Sequence, residues 1–158
     1  MSAVILAAVA AAQLLVAAPL EALGGTRQDV EKRLGPPRNV GIDYVASPYL
    51  DGARDQVVTL NYPKAQVRLY EIPALGESFL LSYTAAADLF PTGASIGIGS
   101  DHGAVLRALG GPSYEDGHQI VYDAPRPDVA GASDRVRIVL RDDKVVAYEW
   151  RFAVVPPR

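Results

Sequence analysis

Apolar and polar positions alternate along much of this chain, and the alternation predicts short strands separated by turns. Between residues 56 and 62, Val58, Leu60 and Tyr62 share one parity, and turn signals follow before the next apolar run. The second half of the chain shows the same order of strands and turns. Strands are predicted at residues 56–62, 66–71, 79–84, 118–123, 135–141 and 145–152. The pattern therefore predicts two antiparallel meanders of three strands each.

A short helix precedes each meander, and the two helices carry matching residues at an offset of 75 positions. Leu23, Gly24, Val30, Leu34, Gly35 and Pro37 are matched by Ile98, Gly99, Val105, Leu109, Gly110 and Pro112. Thr26 is the predicted N-cap of the first helix and Ser100 or Asp101 that of the second, while Gly35 and Gly110 end them. A repeated unit fixes the organisation. We therefore predict an α+β fold of two helix-plus-three-stranded antiparallel meander repeats, with the helices packed on one face of the sheet.

The first 22 residues predict a secretory signal peptide. Residues 4–16 contain no charge, and small residues and Pro19 follow them. The stretch is shorter than the ~20 apolar residues of a membrane span, and we do not expect it in the core. Cleavage after Ala22 would start the mature chain at the first repeat, and cleavage after Ala18 or retention as an anchor are the alternatives. The expected units are 1–22 (signal peptide), 23–90 and 91–158.

The last hairpin allows a prediction of register. Apolar residues on its two strands should face the core together, because directly opposed residues share a face. A three-residue turn at residues 142–144 satisfies this condition, whereas a two-residue turn at Asp142-Asp143 would pair Leu140 with Val145. The predicted pairs are Leu140 with Val146, Ile138 with Tyr148, Val136 with Trp150 and, on the outer face, Arg137 with Glu149.

Candidate binding residues lie on the outer sheet face and in an insertion. Arg and Tyr are favoured at protein interfaces, so the outer row of the sheet is one candidate. That row comprises Arg68, Tyr70, Arg135, Arg137, Arg141 and Arg151. Residues 39–55 have no counterpart in the second half, and long loops on a rigid scaffold often carry function. The candidates in this inserted loop are Asp43, Tyr44, Tyr49 and Asp51.

Charge and cysteine content exclude several function classes. The 158 residues carry a formal net charge of −3, and removal of residues 1–22 leaves −2, without the basic excess that a nucleic-acid surface needs. Cysteine is absent, which excludes disulfides, thiolate metal sites, a cysteine nucleophile and lipid attachment at a lipobox cysteine. We predict no cofactor, no metal site and no stable membrane span after leader removal.

The catalytic motifs in the chain are weak. Residues 93–97 spell Gly-x-Ser-x-Gly, but a nucleophile elbow at Ser95 needs a strand before it and a helix directly after it, with a histidine placed nearby. Asp101-His102 lacks a third metal ligand, and cap chemistry explains it better. Trp150, with Tyr148 and Phe152, is interpreted as core before any binding box. A small hydrolase using Ser95 and a small-ligand carrier remain the alternative functions.

The repeated helix element resembles the SmpA/OmlA repeat of a small lipoprotein of the outer-membrane assembly machinery, and its tandem form looks like the β-lactamase inhibitor protein fold. The matching residues are Gly24, Thr26, Val30, Leu34, Gly35 and Pro36 in one copy and Gly99, Ser100, Val105, Leu109, Gly110 and Pro112 in the other. Members of this group are non-catalytic binding modules. The resemblance therefore implies a periplasmic or secreted module of the bacterial cell envelope that binds a protein partner.

Overall fold

Eight antiparallel strands form one sheet, and three helices lie against one of its faces in a computed structural model that describes residues 3–154. The helices are α1 (Ala3–Leu23), α2 (Arg27–Leu34) and α3 (His102–Leu109). The strands are β1 (Asn39–Ala46), β2 (Arg54–Tyr62), β3 (Ala65–Ile72), β4 (Glu77–Ala85), β5 (Tyr114–Glu115), β6 (Gln119–Pro125), β7 (Ser133–Arg141) and β8 (Lys144–Arg151). Residues 1–2 of the predicted signal peptide and residues 155–158 of the second unit lie outside the described residues.

The strand order is β1-β2-β3-β4-β8-β7-β6-β5, so the two halves of the chain share one sheet. They join where Ser82 to Ala85 of β4 pair with Tyr148 to Arg151 of β8. We call this junction the seam. The mixed α+β class and the antiparallel pairing agree with the sequence prediction.

Each of the two short helices is followed by four strands, whereas the sequence predicted three. β1 occupies half of the predicted insertion and pairs with β2 along its whole length, so Asp43 and Tyr44 lie in a strand and not in a loop. The missed signal was the alternation of Val40, Ile42 and Tyr44 with the residues between them. The two-residue β5 takes the equivalent outer position in the second half.

The predicted helix caps are present. The Thr26 hydroxyl accepts a hydrogen bond from the Asp29 N–H at 3.1 Å, and the Asp101 carboxylate accepts one from the Ala104 N–H at 2.7 Å. Asp101, and not Ser100, therefore caps α3. Gly35 and Gly110 follow the helices with φ of 81° and 77°, which is the left-handed region that favours glycine at a helix end.

The core lies between the helices and one face of the sheet. Val30 of α2 and Val105 and Leu109 of α3 are buried there. Strand residues of one parity meet them. These include Val58, Leu60, Val67, Leu69, Tyr83, Ile120, Tyr122, Val136, Ile138, Tyr148 and Trp150, with Phe152 directly after β8. Tyr148, Trp150 and Phe152 thus belong to the core, as predicted.

The expectation that the apolar leader stays out of the core was wrong. The second half of α1 packs against the sheet, where Leu15, Val16 and Leu23 are fully buried. Pro19 lies inside α1 and has no N–H, so the Leu15 carbonyl lacks its normal helical partner. The buried Trp150 indole N–H donates to that carbonyl at 3.0 Å. The Trp150 N–H and the Leu15 carbonyl thus satisfy each other's need for a hydrogen-bond partner. This bond fixes the position of α1 in the core.

The last hairpin has the predicted register in its middle and a different turn at its end. Ile138 pairs with Tyr148, Val136 with Trp150 and Arg137 with Glu149. The turn is Asp142-Asp143, however, and Leu140 pairs with Val145, so the three-residue turn was wrong. Both aspartates have positive φ, of 50° and 63°, as a type I′ turn requires. A bulge between Val139 and Leu140 restores the parity.

Candidate binding face

The sheet face opposite the helices carries two polar rows that cross several strands. We call this surface the open face. One row follows the register from β2 through β3, β4, β8 and β7 to β6, and it consists of Thr59, Arg68, Ser82, Arg151, Arg135 and Asp123. The neighbouring row runs from β1 to β7 and consists of Asn39, Asn61, Gln66, Thr84, Glu149 and Arg137. The seam thus brings arginines from both halves of the chain into one row.

A cleft of about 460 Å³ lies on the open face at the seam. Its lining residues are Gln66, Arg68, Leu81, Ser82, Thr84, Glu149, Trp150, Arg151 and Phe152. Arg68 on β3 and Arg151 on β8 both pair with Ser82 of β4, so their backbones stand two strand spacings apart, about 10 Å. We call this depression the seam cleft.

Arg68 and Arg151 are exposed and make no ion pair within residues 3–154. Arg151 also stands directly opposite Arg135 in the sheet. Asp123 balances the charge of Arg135, so Arg68 and Arg151 are the cations of this row that an approaching anion would stabilise. Among the described residues that line the seam cleft, Glu149 is the one carboxylate, and it is already bonded to Arg137. The described part of the seam cleft therefore carries uncompensated positive charge.

Two other arginines of the predicted set are neutralised within the sheet. Arg135 donates from Nε to the Asp123 carboxylate at 2.7 Å, and this hydrogen bond lowers the pKa of Asp123. Arg137 donates from Nε to Glu149 at 2.6 Å and reaches the Gln119 amide oxygen at 3.4 Å. Their charges are already paired within the sheet, so these two arginines attract an acidic partner less strongly than Arg68 and Arg151 do.

The remaining members of the open-face set are placed less favourably. Arg141 is exposed, but it lies six residues along β7 from Arg135, about 20 Å away, next to the hairpin turn. Tyr70 is covered, because its ring stacks on Phe79 at 5.2 Å and meets the edge of Tyr49 at 6.1 Å. Arg141 and Tyr70 therefore do not line the seam cleft.

Tyr49 acts as a cover over one end of the open face. Beneath it the Tyr70 hydroxyl donates to the fully buried Asp55 carboxylate at 2.7 Å. Burial, together with the bond to Asp55, raises the pKa of Tyr70 to about 12. The second Asp55 oxygen has no hydrogen-bond partner within the described residues. The loop residues 47–53 thus seal this end of the sheet, while Asp51 is exposed at the tip.

The catalytic motif does not lie in the strand-turn-helix arrangement that a nucleophile elbow needs. Ser95 is exposed in the connector between β4 and α3, with no strand before it and no helix directly after it. His102 Nε2 lies 2.8 Å from the Glu115 carboxylate, and His118 is exposed. Within residues 3–154 no three side chains of the His, Cys, Asp and Glu types gather as a metal site.

The interface between connector and sheet leaves little room for a ligand. The enclosed space beside Tyr83, Phe90 and Trp150 measures about 10 Å³, about enough for one water molecule. Tyr83 stacks on both rings, at 5.4 Å and 5.2 Å between ring centroids. This packing counts against a carrier with its pocket at that place.

The apolar helix α1 is compatible with a signal sequence. Its window Leu6–Leu23 has a mean hydropathy of 1.8 and is long and apolar enough to cross a membrane, as some core helices and signal sequences also are. Its outer surface exposes Val4, Leu6, Val9 and Leu14. The window suggests export by composition alone.

No protein-family profile, no curated protein and no solved structure matches this chain. The SmpA/OmlA resemblance therefore stays a prediction carried by the repeated helix element.

Proposed function

We propose that the protein is an exported, non-catalytic module of the bacterial cell envelope that binds a protein partner through its open face. The apolar N-terminal helix supports export to the periplasm or beyond. The uncompensated seam cleft supports a partner whose contacting segment is acidic. Sheet faces of this kind present fixed side chains on a rigid scaffold, which suits recognition.

The two halves of the fold are proposed to be tandem repeats, in agreement with the SmpA/OmlA and inhibitor-like resemblance. Corresponding contacts support this reading. The Tyr62 hydroxyl donates to the Gly35 carbonyl at 2.9 Å, and the Tyr122 hydroxyl donates to the Gly110 carbonyl at 2.8 Å. In both halves a strand tyrosine holds the C-terminal end of the preceding helix against the sheet.

The observation that carries the binding proposal is a difference between the halves. Arg68 and Arg137 have matching neighbours in sequence, because Val67 and Leu69 correspond to Val136 and Ile138. The two arginines nevertheless face different residues across the sheet. Arg137 faces a carboxylate, Glu149, whereas Arg68 faces Ser82. One arginine is used within the sheet and the other is left for a partner. Arginine binds carboxylates through paired, charge-assisted hydrogen bonds, which favours an acidic partner segment.

Charge reversal in the seam cleft tests the proposal. Arg68→Glu and Arg151→Glu should each abolish capture of a shared set of envelope proteins by the immobilised full chain. They should also weaken binding of a synthetic Asp/Glu-rich peptide at least ~10-fold, because close interfacial charge pairs contribute several kcal/mol. Calorimetric titration measures the peptide affinity, and added salt should reduce it.

Arg141→Glu is the matched control, because it makes the same charge change on the same face about 20 Å from the row. It should keep both the captured proteins and the peptide affinity. Equal capture by wild type and both cleft variants would contradict the proposal. Equal losses in all three variants would also contradict it, since they would indicate a general charge effect in place of a cleft.

A further inference from the structure

The strand β1 forms one edge of the sheet and lacks most of the features that usually protect an edge, since Asp43 is its one charged residue. It is eight residues long, and it contains no lysine, no proline and no bulge. The opposite edge, β5, has only two residues. Long flat edges present unpaired backbone groups that recruit another strand, and proteins normally shorten or charge them. The contrast between the two edges marks β1 as a pairing surface.

The backbone groups at the open side of β1 can be assigned to particular residues. The Ser47 N–H donates to the Ala53 carbonyl at 2.9 Å, in register with the β1-β2 ladder. Hydrogen-bonded and non-hydrogen-bonded pairs alternate in antiparallel strands, so the odd-numbered residues of β1 bond to β2. Val40, Ile42 and Tyr44 therefore direct their N–H and C=O groups away from the sheet.

The same three residues form an exposed apolar stripe. Val40 is 45% exposed, Ile42 40% and Tyr44 62%, all on the helix side of the sheet. A row of large apolar side chains beside unpaired backbone groups offers two kinds of contact to an added strand, namely main-chain hydrogen bonds and side-chain packing.

We propose that β1 pairs antiparallel with β1 of a second copy of this chain, about a two-fold axis at Ile42. In this register Val40 of each copy faces Tyr44 of the other, and Ile42 faces Ile42. All three stripe residues then gain both hydrogen bonds and apolar cross-strand neighbours. The result is a continuous sheet across two copies, with an isologous interface of the kind that closed dimers use.

Charge selects this register among the neighbouring ones. With Ile42 on the axis, Asp43 of each copy faces Gly41 of the other, so no carboxylates meet. A shift that centres the pairing on Asp43 places two carboxylates directly opposite each other, which is destabilising. A shift that centres it on Gly41 leaves Tyr44 opposite Arg38, outside the strand, and shortens the apolar overlap.

The absence of cysteine from the sequence permits a direct test of this register. In the full chain, Ile42→Cys should form an intermolecular disulfide under mild oxidation, because opposed strand residues have Cα atoms within disulfide range. Asp43→Cys and Gly41→Cys are the matched controls on the same strand. Neither should cross-link, because each faces a different residue of the other copy.

Light scattering of the purified full chain should give twice the monomer mass of 16.8 kDa at high concentration. Ile42→Lys should raise the dissociation constant at least ~10-fold, because it sets two ammonium groups opposite each other in place of an apolar pair. Ile42 is already exposed, so we expect this variant to fold, and circular dichroism checks that it does.

Three results would overturn the proposal. The first is a protein that stays monomeric at every concentration tested. This includes a monomer whose β1 amides become protected from hydrogen exchange only when a different protein is added. The second is a dimer that persists in Ile42→Lys, as association through the exposed apolar side chains of α1 would. The third is a faster cross-link in Asp43→Cys or Gly41→Cys than in Ile42→Cys.

Discussion

A hydroxyl group on each of two tyrosines helps to hold the short helices against the sheet. Isolated helices of eight residues are unstable, so α2 and α3 depend on contacts with the sheet. The Tyr62 and Tyr122 hydroxyls each pair with a glycine carbonyl at a helix end, where the last carbonyls have no partner within the helix. A single polar atom thus completes the end of each helix.

Removal of the Tyr122 hydroxyl should therefore destabilise the fold. Tyr122→Phe leaves the Gly110 carbonyl beneath an apolar ring, and we expect a loss of about 1 kcal/mol in the free energy of unfolding. Urea denaturation followed by circular dichroism measures it. Tyr114→Phe is the control, because Tyr114 is exposed and its hydroxyl bonds to Asp116 at the surface, so its effect should be negligible.

The same substitution should change the response to alkali. Burial raises the pKa of Tyr122 to about 12, above the ~10 of an unfolded tyrosine. A raised pKa gives stability that is complete below pH ~10 and disappears as the pH rises toward ~12. Wild type should lose more stability than Tyr122→Phe across this window. An identical alkaline decline in both proteins would show that the hydroxyl does not titrate as the structure implies.

At the scale of elements, the β7-β8 hairpin shows where sequence patterns stop being informative. The parity of Ile138 and Tyr148 gave the correct register over most of the hairpin. The turn was missed because a shorter turn followed by a bulge contains as many residues as a longer turn without one. The parity of the strand residues is therefore the same in both cases. The two-residue and the three-residue turn bury the same face of the hairpin. The positive φ of Asp142 and Asp143 distinguishes the two-residue turn.

The turn residues provide a prediction of their own. Asp143 adopts φ of 63°, which a β-branched side chain tolerates poorly. Asp143→Val should lower the free energy of unfolding by at least ~1 kcal/mol, whereas Asp143→Gly should not lower it. Thermal unfolding of the two variants beside wild type measures the difference. Equal stability of the valine and glycine variants would place the residue outside the left-handed region.

At the scale of the whole molecule, local pattern predicted the two short helices and six of the eight described strands with their faces, but not how the two halves join. Helices with caps and strands with period two were readable, because each depends on neighbours in sequence. The seam could not be predicted, because β4 and β8 are far apart in sequence and neither contains a pattern that indicates its partner strand. The row of Arg68, Ser82 and Arg151 exists only through that pairing.

The contribution of α1 to the core was also not predictable from local pattern. Apolar composition predicted a signal peptide at residues 1–22, yet α1 supplies Leu15 and Val16 to the core and an acceptor to Trp150. Each buried aliphatic side chain contributes about 1.5–3 kcal/mol, and a hydrogen bond such as that from Trp150 contributes about 0.5–1.5 kcal/mol. Losses of this size approach the whole stability of an ordinary domain, 5–15 kcal/mol.

A chain that begins at Leu23 should therefore be far less stable than the full chain and should bind a hydrophobic dye, because the sheet surface under α1 is uncovered. A chain that begins at Ala11 is the control, since it keeps the buried half of α1 and loses mostly exposed residues. Urea denaturation and dye fluorescence compare the three proteins. If the Leu23 chain is as stable as the full chain, α1 is dispensable to the fold, and cleavage after Ala22 leaves a complete module. If it unfolds, the folded protein must keep α1 or place another apolar segment beneath Trp150.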